Sequence, residues 1–299
     1  MTALVFRVLA TLAYSGVFSW PLGVDEIVLR AINHPKDSSV LTNSEVETAL
    51  RFLKKKQRVR EKDGLWAVGR HAQEDQFLQR VQQQHSVKKK WQEAQQAVEL
   101  LQKNQWIEAI YVTGSLAVNT AAPDSDIDFM LITSPRRLWL TRLWVIFQSW
   151  RHGKRRSFAH EEKNSWCFNL WLTTHTLQLE PNQRSLYTAY EVCQAVCVFD
   201  RRGRVEGNFL RANAWVSLYL RGFFEAKMRL VVRSTQSKKV GKHIFQDLIA
   251  FGDWLSYAAQ RFYMSPHMTR EVVARDKAFF HPRSTKNLIS QKLDHVLCT

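Results

Sequence analysis

Apolar positions fall at helical spacing near the start of the chain and change to strand spacing further on. The run from Ala3 to Tyr14 predicts a first helix ending near Gly16, with Pro21 ahead of an acidic restart. Asp25 to Ile32 predicts a second helix, because acids in the first turn suit the helix dipole. Thr42-Asn-Ser-Glu45 has the form of a capping box, and Val46, Leu50 and Leu53 follow it on one helical face. Arg58 to Val68 predicts a hairpin around Asp63-Gly64. Residues 72–105 are polar and Gln-rich and predict a long helix. Short apolar strands are then expected at Ile110–Val112 and from Asp126 to Ile132, a helix at Leu138–Trp150, and another strand at Ser165–Thr173. Past residue 200 the spacing of Phe245, Leu248, Ile249, Trp254, Leu255, Ala258 and Phe262 predicts helices, with Trp254 in the core.

That order gives an α+β chain. Residues 1–70 form a winged-helix-like domain, 71–105 a connecting helix, 106–200 a core with a mixed sheet, and 201–299 a helical C-terminal region. The winged-helix expectation rests on three helices followed by a hairpin. Lys54, Lys55, Lys56, Arg58 and Arg60 cluster at the third helix and the hairpin. Such a cluster either meets nucleic acid or is a solvated face on a domain that docks to its neighbour.

Charge widens the choice of partner without settling it. Lys and Arg number 43 against 27 Asp and Glu, a net +16, which favours RNA or DNA first and an anionic membrane surface second. Residues 8–24 carry no charge but hold Tyr, Ser, Gly and Pro and offer no small-x-small cleavage site, so they read as a helix rather than a signal peptide. Leu138–Trp150 falls short of the roughly twenty residues that span a bilayer. A cytoplasmic protein without a transmembrane segment is expected. No Cys-x-x-Cys or His-Glu-x-x-His occurs, which removes the common zinc sites. Cys193 and Cys197, four apart, are expected as neighbours on one helix.

The candidate chemistry lies in Gly114-Ser115 and Asp126-Ile-Asp128. Side chains two apart on a strand share a face, and two adjacent carboxylates repel unless a cation lies between them. Oxygen ligands of this kind suit Mg²⁺, which takes one or two carboxylates plus substrate phosphates. Gly114 lets the backbone approach closely, and a helix starting at Ser115 would aim N–H groups at a phosphate.

A strand, Gly-Ser at a helix start, then Asp-x-Asp on the next strand resembles the signature of the DNA polymerase β-type nucleotidyltransferase superfamily. The resemblance implies a metal-dependent enzyme moving a nucleoside monophosphate from an NTP to an acceptor hydroxyl, with nucleic acid the favoured acceptor. Gly114 and Ser115 would bind the nucleotide. Asp126 and Asp128 would be the catalytic residues and hold Mg²⁺ or Mn²⁺. Active members usually carry a third acid on the following strand, where this chain has Asn169 and no Asp or Glu between Lys163 and Gln178. Glu161, Glu162 and Glu191, the last on a helix expected over Leu186–Gln194, are close enough in sequence for one of them to supply the missing carboxylate, and the sequence singles out none of the three. That departure keeps an alternative open: a catalytically degenerate nucleotidyltransferase-fold protein acting as a nucleic-acid-binding or regulatory module. The wider order, including Cys167-Phe-Asn-Leu-Trp-Leu and Tyr187-Thr-Ala-Tyr-Glu191, is similar to microbial nucleotidyltransferase-like proteins with an N-terminal winged-helix region.

Overall fold

Thr2 and Thr42 each cap a helix through a side-chain oxygen, and the Asp63-Gly64 turn takes the positive φ values that a tight hairpin needs. In the computed structural model, which describes residues 2–69, 74–154, 163–232, 246–268 and 271–280, these signals yield the expected N-terminal elements. They are α1 (Ala3–Gly16), α2 (Val24–Arg30), α3 (Asn43–Lys55), β1 (Val59–Lys62) and β2 (Leu65–Val68). The Thr42–Glu45 capping box is formed in both directions.

Helix α1 has two apolar faces. Val5, Val8, Leu9 and Leu12 pack with Val46, Leu50 and Leu53 of α3. Ala10, Ala13 and Tyr14 belong to a second core, shared with Tyr111, Met130 and Tyr190 further along the chain. Buried Arg7 ties α1 to the segment after α2: its Nε donates to the Ile32 carbonyl at 3.1 Å, and Nη1 meets Asp37 at 3.0 Å. The N-terminal helices are therefore packed onto the sheet rather than tethered to it.

The polar stretch forms α4 (Glu74–Leu101) and leads into β3 (Ile107–Thr113). One turn of helix, α5 (Gly114–Ala117), separates β3 from β4 (Ile127–Thr133). Then come α6 (Leu138–Arg151), β5 (Trp166–Thr173), α7 (Leu186–Gln194), β6 (Val196–Asp200), α8 (Val205–Ala212), α9 (Arg221–Val232) and α10 (Gln246–Met264). Two short strands, β7 (Val272–Val273) and β8 (Lys277–Phe279), close the described chain. The main sheet runs β6-β3-β4-β5-β8-β7. Its β3–β4 pair is antiparallel and its β4–β5 pair parallel, so the sheet is mixed.

Four expectations need correction. The C-terminal region is not wholly helical, because β8 pairs antiparallel with β5 and β7 with β8. Helix α10 forms, but Leu248, Phe251, Trp254, Leu255 and Phe262 are exposed on it. Phe245 lies outside the described residues, and the face that α10 buries carries Asp253, Ser256 and Gln260 between Ala250 and Met264. Asp253 Oδ1 accepts the Trp139 and Leu140 N–H groups at the start of α6, and Gln260 donates to the Trp139 carbonyl. Cys193 and Cys197 lie on different elements, α7 and β6, because the helix ends at Gln194. Finally, the helix at Gly114-Ser115 is a single turn, so it adds little dipole beyond its own N–H groups.

Candidate functional site

Gly114 ends the buried strand β3 with φ +63°, a left-handed conformation that L side chains rarely adopt. A Cβ there would collide with the Asp128 carboxylate and stand 3.0 Å from its Cγ. The antiparallel register explains the contact, since Thr113 pairs with Asp128 across β3 and β4. The glycine thus serves both the turn and the close approach of a carboxylate to the turn. The Ser115 carbonyl is fixed by the Thr120 N–H at 2.8 Å and the Thr120 hydroxyl at 3.1 Å.

Asp128 projects from β4 toward β5, where Asn169 Nδ2 donates to its Oδ1 at 2.9 Å. The Asn169 oxygen accepts from the Cys167 thiol at 3.0 Å. With its oxygen turned to Cys167, Asn169 presents an N–H to Asp128 and acts on the carboxylate as a hydrogen-bond donor. Asp126 immediately precedes β4, and its Oδ1 accepts the Ser165 N–H at 2.9 Å, which holds the mouths of β4 and β5 together.

The loop before β4 is anchored from below by Lys90 of α4, a buried lysine whose ammonium donates to the Ser125 carbonyl and to Asn164 Oδ1, the latter at 2.6 Å. Desolvation lowers its pKa, against the opposing charges of Glu93 and the nearby aspartates. Asp124 stays on the surface, paired with Lys163 at 2.6 Å.

A cavity of about 380 Å³ opens over this turn. Gly114, Ser115, Asp128 and Asn169 line it, and Glu191 of α7 joins them. The opposite wall comes from the N-terminal helices and the segment after α1, through Tyr14, Phe18, Trp20 and Arg30. The Tyr14 ring stacks on Tyr190 at 3.9 Å between centroids, and the Tyr190 hydroxyl donates to the Arg30 carbonyl at 2.8 Å. The site is therefore closed by residues from the first thirty positions, which the division into separate domains did not anticipate.

Glu191 is the carboxylate that stands out electrostatically. Burial, and after it the negative charge of Asp128, push its carboxyl up from 4.5 to about 7. It is the one charged residue in α7 and one of the three acids that the sequence offered for the missing carboxylate; the other two, Glu161 and Glu162, lie outside the described residues. Asp126 is not among the residues lining the cavity, although it lies next to them in sequence. The basic cluster lies apart from the cavity and is partly neutralised. Lys54 pairs with Glu61 at 3.0 Å, and Arg60 with Glu74 at 3.3 Å. Lys55 and Lys56 are exposed.

The donor set suits a hard divalent cation. Asp126 and Asp128 offer carboxylate oxygens, the ligand type that Mg²⁺ takes alongside substrate phosphates. Among the described residues, no group of three or more His, Cys, Asp or Glu is already gathered at metal-binding spacing.

Residues 95–153 match the family model described as Polymerase beta, Nucleotidyltransferase. The matched segment runs from the end of α4 through β3, the Gly114 turn and β4 to the end of α6. It stops short of Asn169 and Glu191. No curated protein and no solved structure gives a match to the chain. Among the described residues no helix is long and apolar enough to cross a membrane.

Proposed function

Given the polymerase β-type nucleotidyltransferase domain that residues 95–153 carry, we propose that this protein moves a nucleoside monophosphate from an NTP to an acceptor hydroxyl. The observation that carries the reading is the packing of the Gly114 turn against the Asp128 carboxylate at the floor of one cavity. On this reading the backbone of the turn binds phosphate and the Asp128 oxygens bind the cation of a single triphosphate.

In this reading the N–H groups of the Gly114-Ser115 turn bind phosphate oxygens, since the first turn of a helix leaves its N–H groups without intrahelical partners. Asp126 and Asp128 hold Mg²⁺ or Mn²⁺, which when bound neutralises charge on the triphosphate and on the leaving pyrophosphate. Asn169 steers the Asp128 carboxylate through its N–H. Lys90 fixes the loop that delivers Asp126 to the mouth of β4. The acceptor hydroxyl attacks the α-phosphorus and pyrophosphate leaves. Positioning and charge stabilisation supply most of the catalysis in such a transfer.

The three N-terminal helices and the β1–β2 hairpin form, in this proposal, a winged-helix-like unit whose exposed Lys55 and Lys56 face an RNA or DNA acceptor. A second reading is favoured by one observation: Asn169 occupies the strand position where a third carboxylate is expected. On that reading the protein binds nucleotide or nucleic acid without turnover. Incubating the protein with α-labelled NTPs, Mg²⁺ and separated cellular RNA, protein and small-molecule fractions tests both. Label entering one fraction identifies the acceptor class. NTP binding with no label in any fraction favours the second reading.

A further inference from the structure

The Glu191 carboxylate lines the same cavity as Asp128, yet among the described residues no side chain pairs with it or donates to it. Its neighbours in charge are unfavourable. Asp128 repels it, and Tyr14 and Tyr187 on the same side offer no cation. Arg30, which also lines the cavity, meets Glu26 through Nη2 at 3.6 Å, while its buried Nε has no hydrogen-bond partner among the described residues. A carboxylate left this way in a low-dielectric recess is costly unless a cation or a proton joins it.

Its position is nevertheless built with care. The capping box of Ser185 and Thr188 sets the start of α7, and Ala189, Tyr190, Val192 and Cys193 are buried around Glu191 and fix the helix's rotation. Meanwhile β5 supplies only Asn169, whose amide oxygen is turned to Cys167. The strand that would ordinarily bring a third acid brings a donor, and the facing helix brings an acid with no partner.

We propose that Glu191 is the third carboxylate of this site, relocated from β5 to α7, and that it ligates the divalent cation together with Asp128. The proposal rests on the nucleotidyltransferase reading above. On it, Asn169 holds Asp128 in place and Glu191 supplies the charge that Asn169 lacks.

The test is Mn²⁺ binding to the full chain by calorimetry, for the wild type, Glu191→Gln, Glu191→Asp and Asp128→Asn, with thermal unfolding in chelator and in Mn²⁺ alongside. The expected result is at least a tenfold weaker Kd in Glu191→Gln and a smaller loss in Glu191→Asp. In chelator, Glu191→Gln should melt no lower than the wild type, while losing most of the stabilisation that Mn²⁺ confers. A purely structural role would lower the melting temperature in chelator and spare the Mn²⁺ increment, and would overturn the proposal. So would a Kd within twofold of wild type in Glu191→Gln. If Asp128→Asn then weakens Mn²⁺ binding, the loss is confined to Glu191. If no variant differs from wild type, or the wild type binds no Mn²⁺, the underlying site falls as well.

Discussion

The Asp128 carboxylate occupies the space that a side chain on Gly114 would need. Replacing Gly114 with alanine therefore meets two obstacles, a backbone at φ +63° and a direct overlap with Oδ2 of Asp128, with Cγ only 3.0 Å away. The left-handed conformation alone costs about 1–2 kcal/mol for a residue with a Cβ. Gly114→Ala should lower the denaturant midpoint by at least that equivalent and displace the carboxylate. Nucleotide binding should then fall more than tenfold even where the protein remains folded. Calorimetric titration with an NTP at a temperature well below the unfolding transition checks it, and wild-type affinity in the variant would argue against the cradle.

Asn169→Asp gives a prediction that differs between two buffers. The substitution removes the N–H that Asp128 accepts and places a second carboxylate beside it. In chelator the like charges should lower the melting temperature. Added Mg²⁺ should recover most of the difference, because a cation between the two oxygens reverses the interaction. Equal melting of variant and wild type in both buffers would mean that residue 169 does not face the cation.

Glu191 predicts a pH dependence in metal-free buffer. Its carboxyl is raised in the folded protein to about 7 from the ordinary 4.5, so the folded state binds the proton more tightly than the unfolded chain does. Stability from this group is complete below about 4.5 and is lost as pH rises through about 7. The size is about 3 kcal/mol, from 1.36 kcal/mol per pKa unit. Glu191→Gln should flatten the stability profile over that interval and be the more stable protein at pH 8. Parallel profiles for the two proteins would place Glu191 in a solvated, unstrained setting.

Arg7 tests how firmly the N-terminal helices belong to the rest. Its guanidinium satisfies the Ile32 carbonyl, the Asp37 carboxylate and, at 2.6 Å, the Ser39 carbonyl. Arg7→Met should cost about 2–4 kcal/mol, the range for stranding buried partners of a charged hydrogen-bonding group. Because Ala10, Ala13 and Tyr14 share a core with the sheet, unfolding should stay a single transition in circular dichroism and in tryptophan fluorescence. Two separated transitions would show the first seventy residues to be independent.

Much of the site was legible because its parts are close in sequence. Gly114 and Asp128 are joined by one turn and a short loop, and the spacing of apolar strands around them reveals the β3–β4 pair. The capping box at Thr42 and the Asp63-Gly64 turn were equally local and formed as expected. Glu191 was legible only as one of three acids near in sequence, because its place beside Asp128 in the cavity comes from the packing of α7 rather than from strand spacing. The cavity wall of Tyr14, Trp20 and Arg30 was hidden for the same reason. Helix α10 misled for a different one. Its periodicity was real, but the face it turns to α6 is chosen by Asp253 and Gln260, which cap and bond α6, and the apolar stripe is left outward. Periodicity locates a stripe without saying which neighbour it meets.

The most direct test of the central claim is transfer of label from an α-labelled NTP by wild type and Asp128→Asn, prepared and assayed side by side with Mg²⁺. The account predicts labelled acceptor with the wild type, and at least a hundredfold less with a variant that still unfolds cooperatively. Equal labelling by the two proteins would contradict it, because the carboxylate beside Gly114 would then have no part in the chemistry.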